Sequence, residues 1–310
     1  MRIICDKHIP YLVEAVRRNW SDVSICPMNP EQIDASAVRD ADVLVVRTRT
    51  KVNQQLLADS SVKLVCTATI GFDHIDTAYC ETHGIRWMSC PGCNAQAVCD
   101  YIEEALEEFF QLSTVNCQLS IGIVGVGHVG SLVAKMAESK GMRVLLNDPP
   151  KGIGVSLDEI GRNSDIITFH VPLDKSTFHL CDERFLKICK PGALIINAAR
   201  GGVVDEKALR RSRHPYILDT WENEPDLNTD VLAGAFLASM HIAGYSMEGK
   251  RKASQMCLDA IAQYFGLPPV VLEPVPAFGD INAGWLERIT GQLKAQPDKF
   301  EDLRKNYLLR

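Results

Sequence analysis

The chain has 310 residues, 46% hydrophobic and 23% charged, with a net charge of −6; it is long enough for two cores and too acidic for a broad nucleic-acid-binding surface. No apolar run reaches the ~20 residues of a membrane-spanning helix, and Met1-Arg-Ile-Ile-Cys-Asp meets charge too early for a secretory signal. The 11 cysteines are odd in number and scattered through apparent strands and helices, so they are expected as reduced, mostly buried thiols of a cytoplasmic protein.

In chain order, residues 3–5, 43–46 and 64–66 read as strands buried on both faces. Pro10 and Pro30 stand where a first helical residue tolerates proline, and Asp73 precedes a helical run that stops at Gly84. This is βαβ alternation, the pattern of an α/β domain. Cys90-Pro-Gly-Cys-Asn94 interrupts it, and one long helix is expected over residues 95–112, so a hinge is placed here. A second series follows, with strands near residues 120–126, 143–147, 165–169, 193–197, 216–218 and 236–239. Ser156 and Glu159 form a capping box between two of them, and a last amphipathic helix over 247–265 is ended by Gly266. The expected architecture is α/β, with two doubly wound parallel-sheet domains and a short C-terminal extension. The expected limits are residues 1–92 for the first domain, 93–262 for a dinucleotide domain, and 263–310 for a segment returning to the first domain.

Gly125-x-Gly127-x-x-Gly130 follows a strand and opens a helix. In that context Gly125 permits a tight turn, Gly127 lets a pyrophosphate approach the backbone, and Gly130 allows close helix–strand packing. The anion is then met by free N–H groups at a helix N-terminus. His128 and Val129 lie in the loop and offer backbone only; the His128 imidazole is expected to face solvent. The next strand ends at Asp148, where a carboxylate meets the adenosine ribose and repels a 2′-phosphate, so NAD is expected over NADP. The plainer alternative is a glycine turn and a surface acid.

Three polar residues lie beyond successive later strands: Arg200, Glu224 and His241, with Asp219 beside the second. Ligands of open α/β sheets bind outside the carboxyl ends of the strands, so the three can share a crevice. Oxidising an alcohol needs a base, and His241 has the side chain whose ordinary pKa lies near working pH. Glu224 can orient the imidazole, and the Arg200 fork matches a carboxylate and can polarise a developing carbonyl. Taken singly, Arg200 could cap a carbonyl, Glu224 could be solvated, and His241 could be a core histidine. Cys80-x-x-His83 and Cys90-x-x-Cys93 have passable zinc spacing, but an apparent strand separates the pairs, so no metal is expected.

These residues resemble the D-isomer-specific 2-hydroxyacid dehydrogenases. Further motifs carry the likeness over nearly the whole chain: Val46-Arg-Thr-Arg-Thr-Lys-Val-Asn53, Thr67-Ala-Thr-Ile-Gly-Phe-Asp-His74, Pro91-Gly-Cys-Asn-Ala95, Asn147-Asp-Pro-Pro150, His241-Ile-Ala-Gly-Tyr-Ser-Met-Glu-Gly-Lys250 and Leu303-Arg-Lys-Asn-Tyr307. The resemblance implies a flavodoxin-like substrate domain, a Rossmann NAD domain and Arg200, Glu224 and His241 as the catalytic set. It implies substrate contacts at Thr48, Thr69 and Tyr245, and NAD contacts at Asp148, Val171, Asp219 and Gly244, with backbone from Ala198 to Arg200. Thr48 stands where serine is common and keeps the hydroxyl. His128 replaces a common asparagine and Val171 a frequent threonine, leaving backbone contacts at both.

The implied substrate is a small phosphorylated 2-hydroxy acid. Arg47, after a strand end, is a candidate for its anionic end, with Arg49 aimed the same way. A homodimer is implied too, although the C-terminal region is shorter than in members where it forms a dimerisation domain. Another acid substrate, such as 3-phosphoglycerate, or a nucleotide-sensing protein without turnover are the other readings.

Overall fold

The computed structural model describes residues 1–111, 119–275 and 284–307. The chain divides into two compact units, Met1–Asn94 with Ser246–Ala277, and Ala95–Tyr245 with Phe278–Arg310.

The first unit is a parallel five-stranded sheet in the order β2-β1-β3-β4-β5: β1 (Arg2–Asp6), β2 (Ser24–Met28), β3 (Val43–Val46), β4 (Leu64–Thr67) and β5 (Arg86–Met88). This is the flavodoxin-like strand order. The central strands β3 and β4 are buried at every position, which is why they read as unbroken apolar runs. Strand β2 leaves no such trace. It is an edge strand holding Pro27, with Ile25 its one fully buried residue, and a sheet edge tolerates a missing N–H.

Two local expectations shift. Asp76, rather than Asp73, caps the Thr77–Thr82 helix by accepting from the Tyr79 N–H at 2.9 Å, because Ile75 is still extended in a bridge to Val52. Pro30 opens a single 3-10 turn, and Pro10 precedes the left-handed Tyr11 before the Leu12–Asn19 helix.

The Met247–Phe265 helix has the expected bounds and ends at left-handed Gly266, yet it belongs to the first unit. Its Ala253, Cys257, Leu258 and Ile261 are buried in one cluster with Ile3, Val43 and Leu64. The expected domain limit at residue 262 is therefore corrected to 245, since a helical apolar face shows that a helix docks but not on which sheet.

The second unit is a seven-stranded sheet in the order β12-β11-β10-β9-β6-β7-β8. Its strands are β6 (Ser120–Val124), β7 (Arg143–Asp148), β8 (Ile153–Gly154), β9 (Ile166–Phe169), β10 (Leu194–Asn197), β11 (Tyr216–Leu218) and β12 (Leu237–Ala238). All six expected strands are present and parallel; the added β8 is a two-residue antiparallel stub on β7. Chain order reverses between β6 and β9, the switch point at which Rossmann sheets bind dinucleotides. The Ser156–Glu159 capping box forms as expected. The long helix spans Ala95–Gln111; its expected last residue, 112, lies outside the described residues.

The C-terminal helices Trp285–Ala295 and Phe300–Lys305 bury Leu286, Leu293 and Phe300 in the core of this second unit. Thr290 pairs with both backbone groups of Ala238 on the edge strand β12, at 2.8 and 3.1 Å, closing an edge that would otherwise stay open. The expected return of residues 263–310 to the first unit is thus corrected: among the described residues it holds only as far as Val275. Among the described residues no helix is long and apolar enough to cross a membrane.

Candidate active site

At the end of β6 the glycines divide their work. A Cβ on Gly125, whose φ is +91°, would lie 2.7 Å from the His170 carbonyl oxygen, and one on Gly130 would lie 2.0 Å from the Gly125 oxygen. Both positions are closed by packing. A Cβ on Gly127 would meet nothing within 4 Å, and Gly127 caps the His128–Ser139 helix. Open space over a helix N-terminus fits a pyrophosphate.

Asp148 Oδ2 accepts from the Val126 N–H at 2.9 Å, which ties the acid to the glycine turn. Lys151 stands 3.5 Å from the same oxygen and donates to the Val126 carbonyl at 2.7 Å. Sequence reading missed this lysine, which offsets part of the negative charge expected to repel a 2′-phosphate. His128 is exposed and Val129 half-buried. The Val171 side chain packs against the Gly125 turn.

Arg200, Glu224 and His241 follow β10, β11 and β12, which are neighbours in the sheet. Buried Asn197 accepts from the Ala199 N–H at 3.1 Å and donates to the Arg200 carbonyl at 2.8 Å, pinning the 198–200 loop. One Arg200 N–H is taken by the Ala199 carbonyl at 2.8 Å, so the carbonyl-capping alternative accounts for part of the fork. Glu224 Oε1 accepts from the Trp221 N–H at 2.9 Å, and its Oε2 lies 2.8 Å from His241 Nδ1. Burial pushes the Glu224 carboxyl up, but the His241 bond and charge, the Trp221 N–H and the Arg304 charge outweigh it and hold the group below its ordinary value. An ionised Glu224 only accepts, so Nδ1 carries the hydrogen and Nε2 is the nitrogen able to take a proton.

His241 has φ +57°, a left-handed backbone with a modest cost for a non-glycine residue. Asp219 imposes it. Its carbonyl accepts from the His241 N–H at 2.8 Å, and its carboxylate accepts from the N–H groups of Ile242 at 2.7 Å and Ala243 at 3.0 Å and from Ser239 Oγ at 2.6 Å. With three of about four lone pairs engaged, Asp219 has one left for any cofactor contact. Gly244 and Tyr245 continue the same turn, Tyr245 N–H donating to the Ile242 carbonyl at 2.8 Å.

Glu206 is 3% exposed, and one of its carboxyl oxygens accepts from the Glu222 N–H at 2.7 Å. Burial first, then the charges of Glu222, Glu224 and Asp205, push it up to about 7 against the lowering effect of that bond. The folded chain therefore holds this proton where the unfolded chain has lost it, so stability falls as pH rises from about 4.5 to about 7. Glu206→Gln keeps the acceptor and removes the charge. Urea unfolding should show the variant gaining on the parent across that window, reaching on the order of 3 kcal/mol in alkaline buffer; a gain that does not change with pH would refute the assignment.

In the first unit, Arg47 Nε donates to the fully buried Asp6 carboxylate at 2.8 Å. This separates Arg47 from Arg49, which like Thr48 is exposed. Thr69 Oγ1 lies 2.7 Å from Thr67 Oγ1. Among the described residues no group of three or more His, Cys, Asp or Glu side chains could hold a metal ion; the Cys90 thiol instead lies 3.9 Å from Cys257.

Residues 107–243, which include the glycine turn and the His241–Glu224 pair, match the D-isomer specific 2-hydroxyacid dehydrogenase NAD binding domain. A protein of Bacteroides thetaiotaomicron named erythronate-4-phosphate dehydrogenase is 40% identical over 338 residues, covering 100% of this chain and 97% of that one. The chain belongs to the D-isomer-specific 2-hydroxyacid dehydrogenase family. An erythronate-4-phosphate dehydrogenase of Enterobacter sp. (strain 638) is 39% identical over 349 residues, covering 100% of this chain and 92% of its own length. Among solved structures, the NAD+-bound 3-phosphoglycerate dehydrogenase of Entamoeba histolytica has a TM-score of 0.72 at 23% identity, covering 89% of this chain and 99% of that one. The TT0316 protein of Thermus thermophilus has a TM-score of 0.72 at 23% identity, covering 88% and 100%. At that identity the structures speak for the fold. The cofactor of this family member is NAD, as the matched domain indicates.

Two cations of this dehydrogenase escaped the sequence reading. Lys250, one turn into the Met247–Phe265 helix, is pushed down by burial and then by the Arg47 charge. Arg304 donates to the Tyr245 hydroxyl at 3.0 Å, lies over its ring at 5.5 Å, and its charge bears on Glu224. Both sit inside motifs already singled out, Lys250 at the end of the His241 segment and Arg304 within Leu303–Tyr307. Periodicity alone gave no sign of either.

Proposed function

We propose that the protein oxidises the C2 hydroxyl of 4-phospho-D-erythronate to 3-hydroxy-2-oxo-4-phosphobutanoate with NAD. The observation that carries this reading is end-to-end relatedness to proteins named for that substrate, 40% identical over 100% of the chain. The Glu224–His241 pair at 2.8 Å supports it with a base held in the productive tautomer.

NAD, when bound, would supply the acceptor for the C2 hydride. His241 Nε2 takes the hydroxyl proton, and Glu224 stabilises the imidazolium that results. Arg200 pairs with the substrate carboxylate and polarises the oxygen becoming a carbonyl. Gly127, with the backbone of His128 and Val129, would receive the pyrophosphate over the turn that Gly125 and Gly130 shape, and Asp148 would receive the ribose. Val171, Ala198, Asp219 and Gly244 complete the NAD contacts. Substrate contacts are assigned to Thr48, Thr69 and Tyr245, and positive charge for the phosphate to Arg47 with Lys250. A cytoplasmic homodimer acting in pyridoxal 5′-phosphate synthesis completes the proposal.

The test is NADH formation with 4-phosphoerythronate, erythronate and 3-phosphoglycerate. The phosphorylated four-carbon acid should lead in kcat/KM by about a hundredfold, the worth of two charge-assisted hydrogen bonds. A lead for 3-phosphoglycerate would transfer the assignment to that substrate.

A further inference from the structure

The C-terminal helices of the second unit do more than cover an open sheet edge. Phe300 is buried in the core of that unit, and from this anchor the Phe300–Lys305 helix brings Arg304 to the turn that carries His241. Arg304 Nε donates to the Tyr245 hydroxyl at 3.0 Å, and its guanidinium carbon stands 5.5 Å from the centre of the Tyr245 ring. Tyr245 closes the turn, its N–H donating to the Ile242 carbonyl at 2.8 Å. Arg304 therefore grips the same short segment as the base. A guanidinium has no acceptor and keeps its proton, so its neighbours meet a permanent positive charge. Its side chain is 25% exposed, and water screens that charge only in part.

The acids around this cation differ in kind. Glu301, one turn earlier, lies 3.5 Å from Arg304 Nη1 but is exposed, where an ion pair is worth little. Glu224 is half-buried with an oxygen on His241 Nδ1, and the Arg304 charge is among the influences holding it ionised. Of the other acids grouped with Glu224 around Glu206, Glu222 pairs with His179 and Asp205 caps the Glu206–Arg211 helix. Glu206 itself is pushed up to about 7, so below that pH it adds no negative charge to oppose Arg304. We infer that Arg304 is a positioning residue for the catalytic pair: it anchors the His241–Tyr245 turn through the tyrosine, and its permanent charge on the Glu224–His241 pair keeps the imidazole able to accept a proton down to a lower pH. The assignment rests on the proposed role of His241 as the base.

Two variants of the full-length protein test this. Arg304→Met keeps an apolar stem against the Tyr245 ring and removes the charge, whereas Arg304→Lys keeps the charge. Without a neighbouring cation an added proton is repelled less, so the pair takes it up at higher pH. Nitrogen-15 NMR of the His241 ring needs no substrate. The ring should titrate about half a pH unit higher in Arg304→Met than in the parent, the scale of one partly screened charge. In Arg304→Lys it should titrate close to the parent. The Tyr245 amide, freed from its anchor in Arg304→Met, should exchange hydrogen about tenfold faster. Turnover should follow: the acid limb of kcat/KM, which reports the free enzyme, moves up by the same half unit, about a threefold loss below the limb.

An unmoved His241 titration in Arg304→Met would overturn the inference. So would an equal shift in Arg304→Lys, which would trace the effect to packing and leave Arg304 a staple between helices. The expected titrations in a protein inactive on 4-phosphoerythronate would instead uphold the charge on the pair and overturn the substrate reading.

Discussion

Replacing Glu224 with Gln is expected to lower kcat by about 10⁴ while leaving NAD affinity almost unchanged. The reason lies in which way the new amide must face. The Trp221 N–H donates to Glu224 Oε1 at 2.9 Å, and the other oxygen meets His241 Nδ1 at 2.8 Å. In the variant the amide oxygen stays on the Trp221 donor, which turns the NH₂ toward Nδ1. That nitrogen must then present a lone pair, so the proton moves to Nε2, and a protonated Nε2 cannot accept from the substrate. His241→Ala should cost a comparable amount, and the double variant little more than either alone, because the two residues act as one unit. Turnover and NAD titration by fluorescence provide the check. A Glu224→Gln variant retaining a tenth of parental kcat would show that the pair does not set the tautomer.

The parts of this molecule that could be read from its sequence are those whose constraint is local. Strands such as Val43–Val46 and Leu194–Asn197 are buried on both faces, and a fully buried strand can only be an apolar run. The glycine turn is legible because Gly125 has a φ of +91° and Gly130 is closed by the Gly125 carbonyl five residues before it. Arg200, Glu224 and His241 stood out because each follows a strand end, the place where α/β sheets present chemistry.

What escaped depends on contacts that a linear pattern does not encode. The Asp219 carboxylate holds the His241 turn through backbone N–H groups of Ile242 and Ala243, and a backbone donor carries no residue identity. Lys250 and Arg304 matter through where their helices dock. The apolar face of Met247–Phe265 is visible, but its docking on the first sheet follows from the close packing of Ala253 and Cys257 there. The stub β8 is too short to show any period.

Gly201→Ala should disturb stability and catalysis together, and by a route that no active-site side chain reveals. A Cβ at this position would lie 1.9 Å from the Trp221 carbonyl oxygen, 2.0 Å from its carbon and 2.5 Å from the Glu222 nitrogen, all backbone atoms. None can swing aside as a side-chain tip would, so the loop holding Arg200 or the turn holding Glu224 must move by about an ångström or more. Misplacement of that size costs about a hundredfold in kcat/KM, and the overpacking on the order of 3 kcal/mol in stability. Gly127→Ala is the matched comparison, since its Cβ would meet nothing within 4 Å. That variant should unfold like the parent and lose NAD affinity instead, its methyl group occupying space left for the pyrophosphate. Urea unfolding, NAD titration and kcat/KM on the two variants therefore separate a glycine needed to bring two loops together from a glycine needed to admit a ligand. If Gly201→Ala matched the parent in all three, the contact between the Arg200 loop and the Trp221–Glu224 turn would be refuted.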